Sequence, residues 1–238
     1  MARASTTATR PKSRRAREAQ RAIRLVASVA VLGIALGLVM QVLIILARLL
    51  AAGPVPSVAV LADLAQTVTW ATLVCSGVAI GVSIGKARAA VGGLLGAIFA
   101  PLALAAAKSV QKIVLSLLDA VAQPAAISLE IMGVVRALEY GSLAFLLAVL
   151  SQREVRRLWA YLGAGGAVAM LFGGGVVAAT IWRRVAIANA PAPFELAGLM
   201  VNELLTPVGC ALVIYVGQLV AVNFRLYSRG ITPTGTAS

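Results

Sequence analysis

Long apolar runs without a charged side chain are the feature that most constrains the fold of this chain. A helix needs about 20 apolar residues to cross the hydrocarbon core of a bilayer. Five runs reach or approach that length: 25–47, 64–85, 89–107, 158–182 and 204–224. A sixth candidate, about 131–152, is interrupted in its first half by Arg136 and Glu139. The runs predict an all-α, polytopic transmembrane helical bundle of about six spans.

The composition supports lipid rather than water as the solvent. Hydrophobic residues make up 61% of the chain and charged residues 12%, whereas soluble domains carry about 45–50% and about 25%. A soluble fold of this size must leave a large outer shell facing water, so it could not hide this much apolar surface. We therefore divide the chain into three parts. These are a basic tail (1–24), a transmembrane helical domain (25–226, with its last span at about 200–224) and a polar C-terminal tail (227–238).

Lysine and arginine fix the expected orientation, because their excess belongs on the cytoplasmic side of a membrane. Six spans with a cytoplasmic N-terminus place 15 basic residues inside and 6 outside, whereas omitting the interrupted span gives 12 and 9. Six spans with both termini in the cytoplasm are therefore expected, although Arg183 and Arg184 then lie on the outer side. A bacterial cell inner membrane fits best. An organellar membrane is the alternative, since residues 1–24 are rich in Arg, Ser, Thr and Ala and poor in acids.

The basic tail also indicates a partner. It holds eight basic residues and one acid, Glu18, and each Lys or Arg near a surface of anionic lipid contributes about 1 kcal/mol. Anionic lipid head groups are thus the expected partner of the tail, within the lipid bilayer that surrounds the spans. Nucleic acid is not expected, because the tail has no aromatic residue and no surrounding fold.

The stretch between the third and fourth spans is amphipathic. Val110, Val114, Leu117 and Val121 share one helical face, which predicts a helix at about 108–123 lying in the membrane interface. Two alternatives stay open for 108–130: a continuation of span three beyond the bilayer, or a re-entrant hairpin.

Small residues four apart allow helices to approach closely in lipid. The expected helix-packing positions of the first three spans are Gly33, Gly37, Gly77, Gly81, Gly85, Gly92 and Gly96. Span five carries three successive glycines, Gly173, Gly174 and Gly175. Because glycine lowers helix propensity by about 1 kcal/mol relative to alanine, this triplet predicts a weak point or kink.

Ionisable residues inside spans are costly and raise a functional hypothesis by default. Glu203 lies in span six beside Asn202, one turn before Pro207, which has no N–H to donate to the carbonyl of residue 203. The bland alternative is a Glu203 near the outer interface, neutralised by a neighbouring helix or by Arg183 or Arg184.

Two further acidic positions complete the candidate site. Arg136 and Glu139 are three residues apart on span four and can pair on one helical face. Asp63 opens span two, and in the six-span arrangement it lies toward the same side as Glu139 and Glu203. The candidate polar intramembrane site therefore comprises Asp63, Arg136, Glu139, Asn202, Glu203 and Pro207.

Several chemistries have no residues to support them. The chain has no histidine and two cysteines, Cys75 and Cys210, each within an apolar run, so neither histidine-based catalysis nor a paired-cysteine metal site is indicated. We expect no enzyme, no cofactor and no metal. Aromatic residues such as Trp70, Trp159 and Trp182 are interpreted as interface anchors.

Two functional hypotheses remain. The first, narrowly favoured by the sequence, is a non-catalytic subunit or scaffold of a membrane protein complex, associating with other membrane proteins or with itself. The alternative is a small transporter or channel that uses Glu203, Glu139 and Asp63 for the passage of an ion, a proton or a solute.

Overall fold

The computed structural model describes residues 11–85, 89–120, 128–186 and 191–229, and this part of the chain is helical without strands. The helices are α1 (Pro11–Leu50), α2 (Val60–Gly85), α3 (Ala89–Leu117), α4 (Leu129–Gln152), α5 (Leu158–Val168), α6 (Gly174–Ala186) and α7 (Pro193–Arg229). A π-helical turn, Ala169–Gly173, joins α5 to α6 without a break. Six helical segments among the described residues are long and apolar enough to cross a membrane, which confirms the predicted six-span bundle.

The predicted boundaries differ from the structure mainly at the ends of helices. The fourth span, predicted in spite of its two charged residues, is α4. Helix α1 already begins at Pro11, within the stretch assigned to the basic tail, and α7 continues to Arg229, just inside the stretch assigned to the C-terminal tail. The first ten residues of the basic tail, the C-terminal stretch 230–238, and Lys86 and Arg88 of the charge count lie outside the described residues.

The amphipathic stretch after span three is not a separate interfacial helix over residues 108–117. There α3 continues without interruption, so the alternative in which span three extends further applies to these residues. The helix ends because the chain turns at Asp119, which has a positive φ of 48°. The remainder of the predicted interfacial helix and hairpin, 121–127, falls outside the described part of the chain.

Glycines set the close approach of the first four helices. Alanine at Gly81 or at Gly92 would bring a Cβ within 2.7 or 2.8 Å of the other residue's carbonyl oxygen. Gly33 and Gly37 face the backbone of α2, Gly77 faces Phe99 of α3, and Gly96 faces α4. Gly85 ends α2, and its surroundings are not among those described.

The centre of the bundle is built by α2, α4 and α7. Their fully buried side chains include Val74, Tyr140, Leu143, Leu147 and Ile214. Large apolar side chains on the outer faces, such as Met170 and Leu171, are 70% exposed in the isolated chain, as expected for surfaces in contact with lipid. Arg136 and Glu139 of α4 and Glu203 of α7 are buried in this apolar centre.

Candidate functional site

Arg136 and Glu139 form an ion pair on the inner face of α4. The residues are one helical turn apart, and Nη1 of Arg136 donates to Oε2 of Glu139 over 2.5 Å. Both are buried, with exposed fractions of 6% and 0%. The pairing expected from the spacing is therefore present, and Glu139 lies near the middle of α4 (Leu129–Gln152).

The same arginine also holds a carboxylate of another span. Nη2 of Arg136 donates to Oε1 of Glu203 on α7, again over 2.5 Å. The amide of Asn202 donates to this oxygen as well, over 3.0 Å. Arg136 thus joins α4 to α7, and we call Arg136, Glu139 and Glu203 the Arg136 triad. Of the partners expected for Glu203, the structure gives a neighbouring helix, through Arg136 of α4, while Arg184 pairs with Glu195 near the surface.

The charges of the Arg136 triad do not balance. If all three groups are ionised, two carboxylates face one guanidinium and a net negative charge is buried in the middle of an apolar bundle. The second oxygen of each carboxylate, Oε1 of Glu139 and Oε2 of Glu203, is buried and has no hydrogen-bond partner within the described structure. An unsatisfied buried polar group costs about 1–3 kcal/mol, and more when it is charged.

Two aromatic residues line the Arg136 triad. The guanidinium carbon of Arg136 lies 5.6 Å from the ring centroid of Trp70 on α2, within the range of a cation–π interaction. Trp70 meets the ring of Tyr140 edge to face, with 5.4 Å between centroids. Trp70 is only 8% exposed, so its interpretation as an interface anchor was wrong; no sequence signal distinguished it from an anchor.

The hydroxyl group of Tyr140, the residue after Glu139, is also unpaired. Its phenol oxygen is buried and lacks a hydrogen-bond partner among the described residues. Tyr140 interacts electrostatically with Glu139 and with the buried thiols of Cys75 and Cys210, which contact each other. Tyr140 could not be recognised from the sequence, because a tyrosine in an apolar span usually packs as an aromatic residue.

The backbone is irregular next to Glu203. Pro207 lies inside α7 one turn further on and has no N–H for the carbonyl of Glu203. That carbonyl instead faces Gly173, where an added Cβ would overlap it. Gly173 ends the π-helical turn, a form of helix that is found frequently at functional sites. The irregularity expected at the glycine triplet therefore lies directly against the Arg136 triad.

Asp63 belongs to a different cluster. Its Oδ1 accepts a hydrogen bond from the amide of Gln111 over 2.8 Å, and Lys108 donates to Gln111 and to Gln66 over 2.9 and 3.3 Å. These four residues, the α2–α3 polar cluster, join the first turns of α2 to the last turns of α3. The structure therefore brings together Arg136, Glu139, Asn202 and Glu203 of the candidate site, with Pro207 one turn away, but gives Asp63 other partners.

In the described part of the chain, no group of three or more His, Cys, Asp and Glu side chains could hold a metal ion.

In comparisons with protein-family models, with curated proteins and with solved structures, no match to this chain was found. The fold and the buried ionic cluster define a multi-pass helical membrane protein that contacts the lipid bilayer.

Proposed function

We propose that this chain is a small membrane transporter or channel that binds a monovalent cation, including the proton, at the Arg136 triad. The observation that carries this proposal is the uncompensated carboxylate: Glu139 and Glu203 share one guanidinium while buried to 0% and 2% exposure. A site with one negative charge in excess is completed by one positive charge.

A purely structural role explains the Arg136 triad less well. A helix–helix link needs one carboxylate for one arginine, and each further buried charge raises the cost of insertion by at least about 2.5 kcal/mol. A third ionisable group therefore requires a compensating gain, and the binding of a cation supplies one. A bound cation would offset the excess negative charge of Glu139 and Glu203, and transport would require its release on the other side of the membrane.

The irregular backbone beside the triad supports movement during such a cycle. The π-helical turn, Ala169–Gly173, and Pro207 weaken two neighbouring helices at the level of Glu203. Because helices bend most easily at prolines and π-helical turns, α5–α6 and α7 are the elements we propose to move when the site opens. The α2–α3 polar cluster would then lie on the outer approach to the site.

Flux through purified protein in liposomes tests this proposal. Proton entry is followed with an enclosed pH-sensitive dye under a potassium diffusion potential, and entry of Na⁺ or K⁺ with radioactive tracers. We expect Glu203→Gln and Glu139→Gln each to lower the flux at least about tenfold, on the scale of one lost charge interaction. Glu130→Gln is the matched control, since Glu130 is an exposed carboxylate of the same helix. Wild-type flux in Glu203→Gln, or no cation flux in any variant, would refute the proposal.

A subunit role remains the second candidate because one face of the bundle lacks a partner. Alanine at Gly163, Gly166, Gly174 or Gly175 would meet no atom within 4 Å, and Trp159 and Trp182 on the same span are 80% and 78% exposed. Glycines that meet no other part of the chain allow another helix to approach closely. The subunit role replaces transport if two results are obtained together. The wild-type protein shows no cation flux in liposomes, and a protein that copurifies with it in mild detergent no longer copurifies with Gly163→Leu.

The membrane and the orientation are part of the same proposal. We propose a bacterial inner membrane with both termini in the cytoplasm, from the distribution of basic residues, and anionic lipid head groups as partners of the basic tail. We also propose that the chain is not an enzyme, since without histidine it has none of the histidine-based nucleophile activation that hydrolases use.

A further inference from the structure

We infer that the cation bound at the Arg136 triad is a proton, shared by Glu139 and Glu203 and held on Glu139 in the conformation described here, while Arg136 stays charged. This inference rests on the proposed function, because it names the substrate of the same site. It follows from the ligands that surround the two carboxylates, from the charges that face them and from the hydrogen bonds that each one accepts.

The ligands are too few for a metal ion. Divalent cations take about six or more oxygen ligands, and an alkali ion has to replace its hydration shell with protein oxygens. Within the described part of the chain, three buried side-chain oxygens of the triad and of the adjacent Tyr140 lack partners: Oε1 of Glu139, Oε2 of Glu203 and the hydroxyl of Tyr140. A metal ion would also lie beside a guanidinium that is 2.5 Å from each carboxylate, whereas a proton needs one lone pair.

The ionisable groups around Glu139 and Glu203 indicate that one of these two carboxyl groups holds the proton. The ionisable neighbours are Arg136 and Tyr140 on α4, Cys75 on α2 and Cys210 on α7. The α3 residues that meet α4 include Gly92, Gly93, Gly96, Ala97 and Pro101, none of them ionisable, and the π-helical turn Ala169–Gly173 holds no ionisable residue. Since an arginine stays protonated in proteins, Arg136 cannot change the charge of the site. Two neighbouring carboxylates with one cation between them are therefore best neutralised by one shared proton.

The hydrogen bonds distinguish the two carboxylates. Oε1 of Glu203 accepts from both Arg136 and Asn202, and donors of this kind favour the ionised form. Glu139 accepts from Arg136 alone among the described contacts, so it is the carboxyl that holds the proton. Protonation removes the negative charge from Glu139, whose Oε1 is buried without a hydrogen-bond partner among the described residues.

Infrared difference spectroscopy of the purified protein tests the inference apart from transport. At neutral pH, we expect the carbonyl band of a protonated carboxylic acid, shifted in heavy water and by ¹³C labelling of glutamate. The band should be lost in Glu139→Gln. It should also be lost in Glu203→Gln, where Glu139 remains as the one carboxylate facing Arg136 and ionises. Glu130→Gln is the control and should keep the band.

Each outcome bears on one claim. No band in the wild type, or a band insensitive to ¹³C glutamate, overturns the inference even if the variants fail to fold. A band that survives in Glu139→Gln and disappears in Glu203→Gln overturns the assignment to Glu139. A wild-type band without cation flux in liposomes refutes transport and leaves the proton site standing. Flux of Na⁺ or K⁺ without a band refutes the proton and leaves transport standing.

Discussion

Arg136 determines how α4 and α7 meet, because its two terminal nitrogens each hold a carboxylate from a different helix. The ring of Trp70 covers the guanidinium, so all the strong contacts of this cation are made within the bundle. A long cationic side chain near the middle of a span usually reaches for the interface. Arg136 does not extend to the interface, because Glu139 and Glu203 compensate its charge inside the bundle.

Replacing Arg136 tests that compensation. We expect Arg136→Gln to lower the free energy of unfolding in detergent by about 3–5 kcal/mol, because it leaves buried carboxylates without their cation. Glu203→Gln should cost much less, because Arg136 keeps its pair with Glu139. Arg183→Gln, at an exposed position of α6, serves as the control. Equal losses for Arg136→Gln and Glu203→Gln would contradict the charge count given above.

The sequence predicted part of this site. Glu139 and Arg136 were paired correctly because helical spacing is local, and Asn202 and Glu203 are adjacent in the chain. The bond between Arg136 and Glu203 joins residues 67 positions apart, and nothing in a single sequence says which spans become neighbours. Asp63 was grouped with Glu139 and Glu203 because all three lie toward the same side of the membrane. Depth in the membrane does not say on which side of the helical bundle a residue lies.

At the scale of elements, the fifth span is the least regular part of the described structure. Its π-helical turn, Ala169–Gly173, brings Gly165 and Gly173 onto α7, while Gly163, Gly166, Gly174 and Gly175 meet no other part of the chain. The glycines of this span therefore divide into two kinds: those required for contact with α7 and those on the outer side. The sequence predicted a weak point here, but it could not separate the two kinds, because that separation depends on where α7 lies.

Two neighbouring glycines provide a matched comparison of the two kinds. We expect Gly173→Ala to destabilise the protein by about 1–3 kcal/mol, the usual cost of overpacking, because its Cβ would overlap the carbonyl of Glu203. Gly174→Ala meets nothing within 4 Å and should be neutral or stabilising by up to about 1 kcal/mol through helix propensity. Unfolding in detergent, followed by circular dichroism, measures both. If Gly174→Ala is the more harmful change, the packing of α5–α6 against α7 is wrong.

At the scale of the whole molecule, the proposed orientation rests on the number of spans, because an even number returns a chain to the side of the membrane on which it began. Span number was predictable because hydrophobic length is a property of the sequence alone. The interrupted fourth span was recovered through the balance of basic residues, and the structure supplies the physical reason: Arg136 and Glu139 partly neutralise each other inside the bundle. Helix ends were harder to predict, as the continuation of α3 to Leu117 shows, because an amphipathic stretch is compatible with several environments.

Cysteine labelling in intact bacterial cells tests the orientation, and the unmodified protein serves as the negative control. Cys75 and Cys210 are both fully buried, so a membrane-impermeant maleimide should leave the unmodified protein unlabelled. Ser57 in the loop between α1 and α2, and Glu154 in the loop between α4 and α5, are exposed positions for new cysteines. We expect Ser57→Cys to react in intact cells and Glu154→Cys to react only after the membrane is permeabilised, because three spans separate the two loops. The reverse pattern would invert the proposed orientation while keeping the six spans. Reaction of both in intact cells would mean that the two loops share a side, which an odd number of intervening spans does not permit.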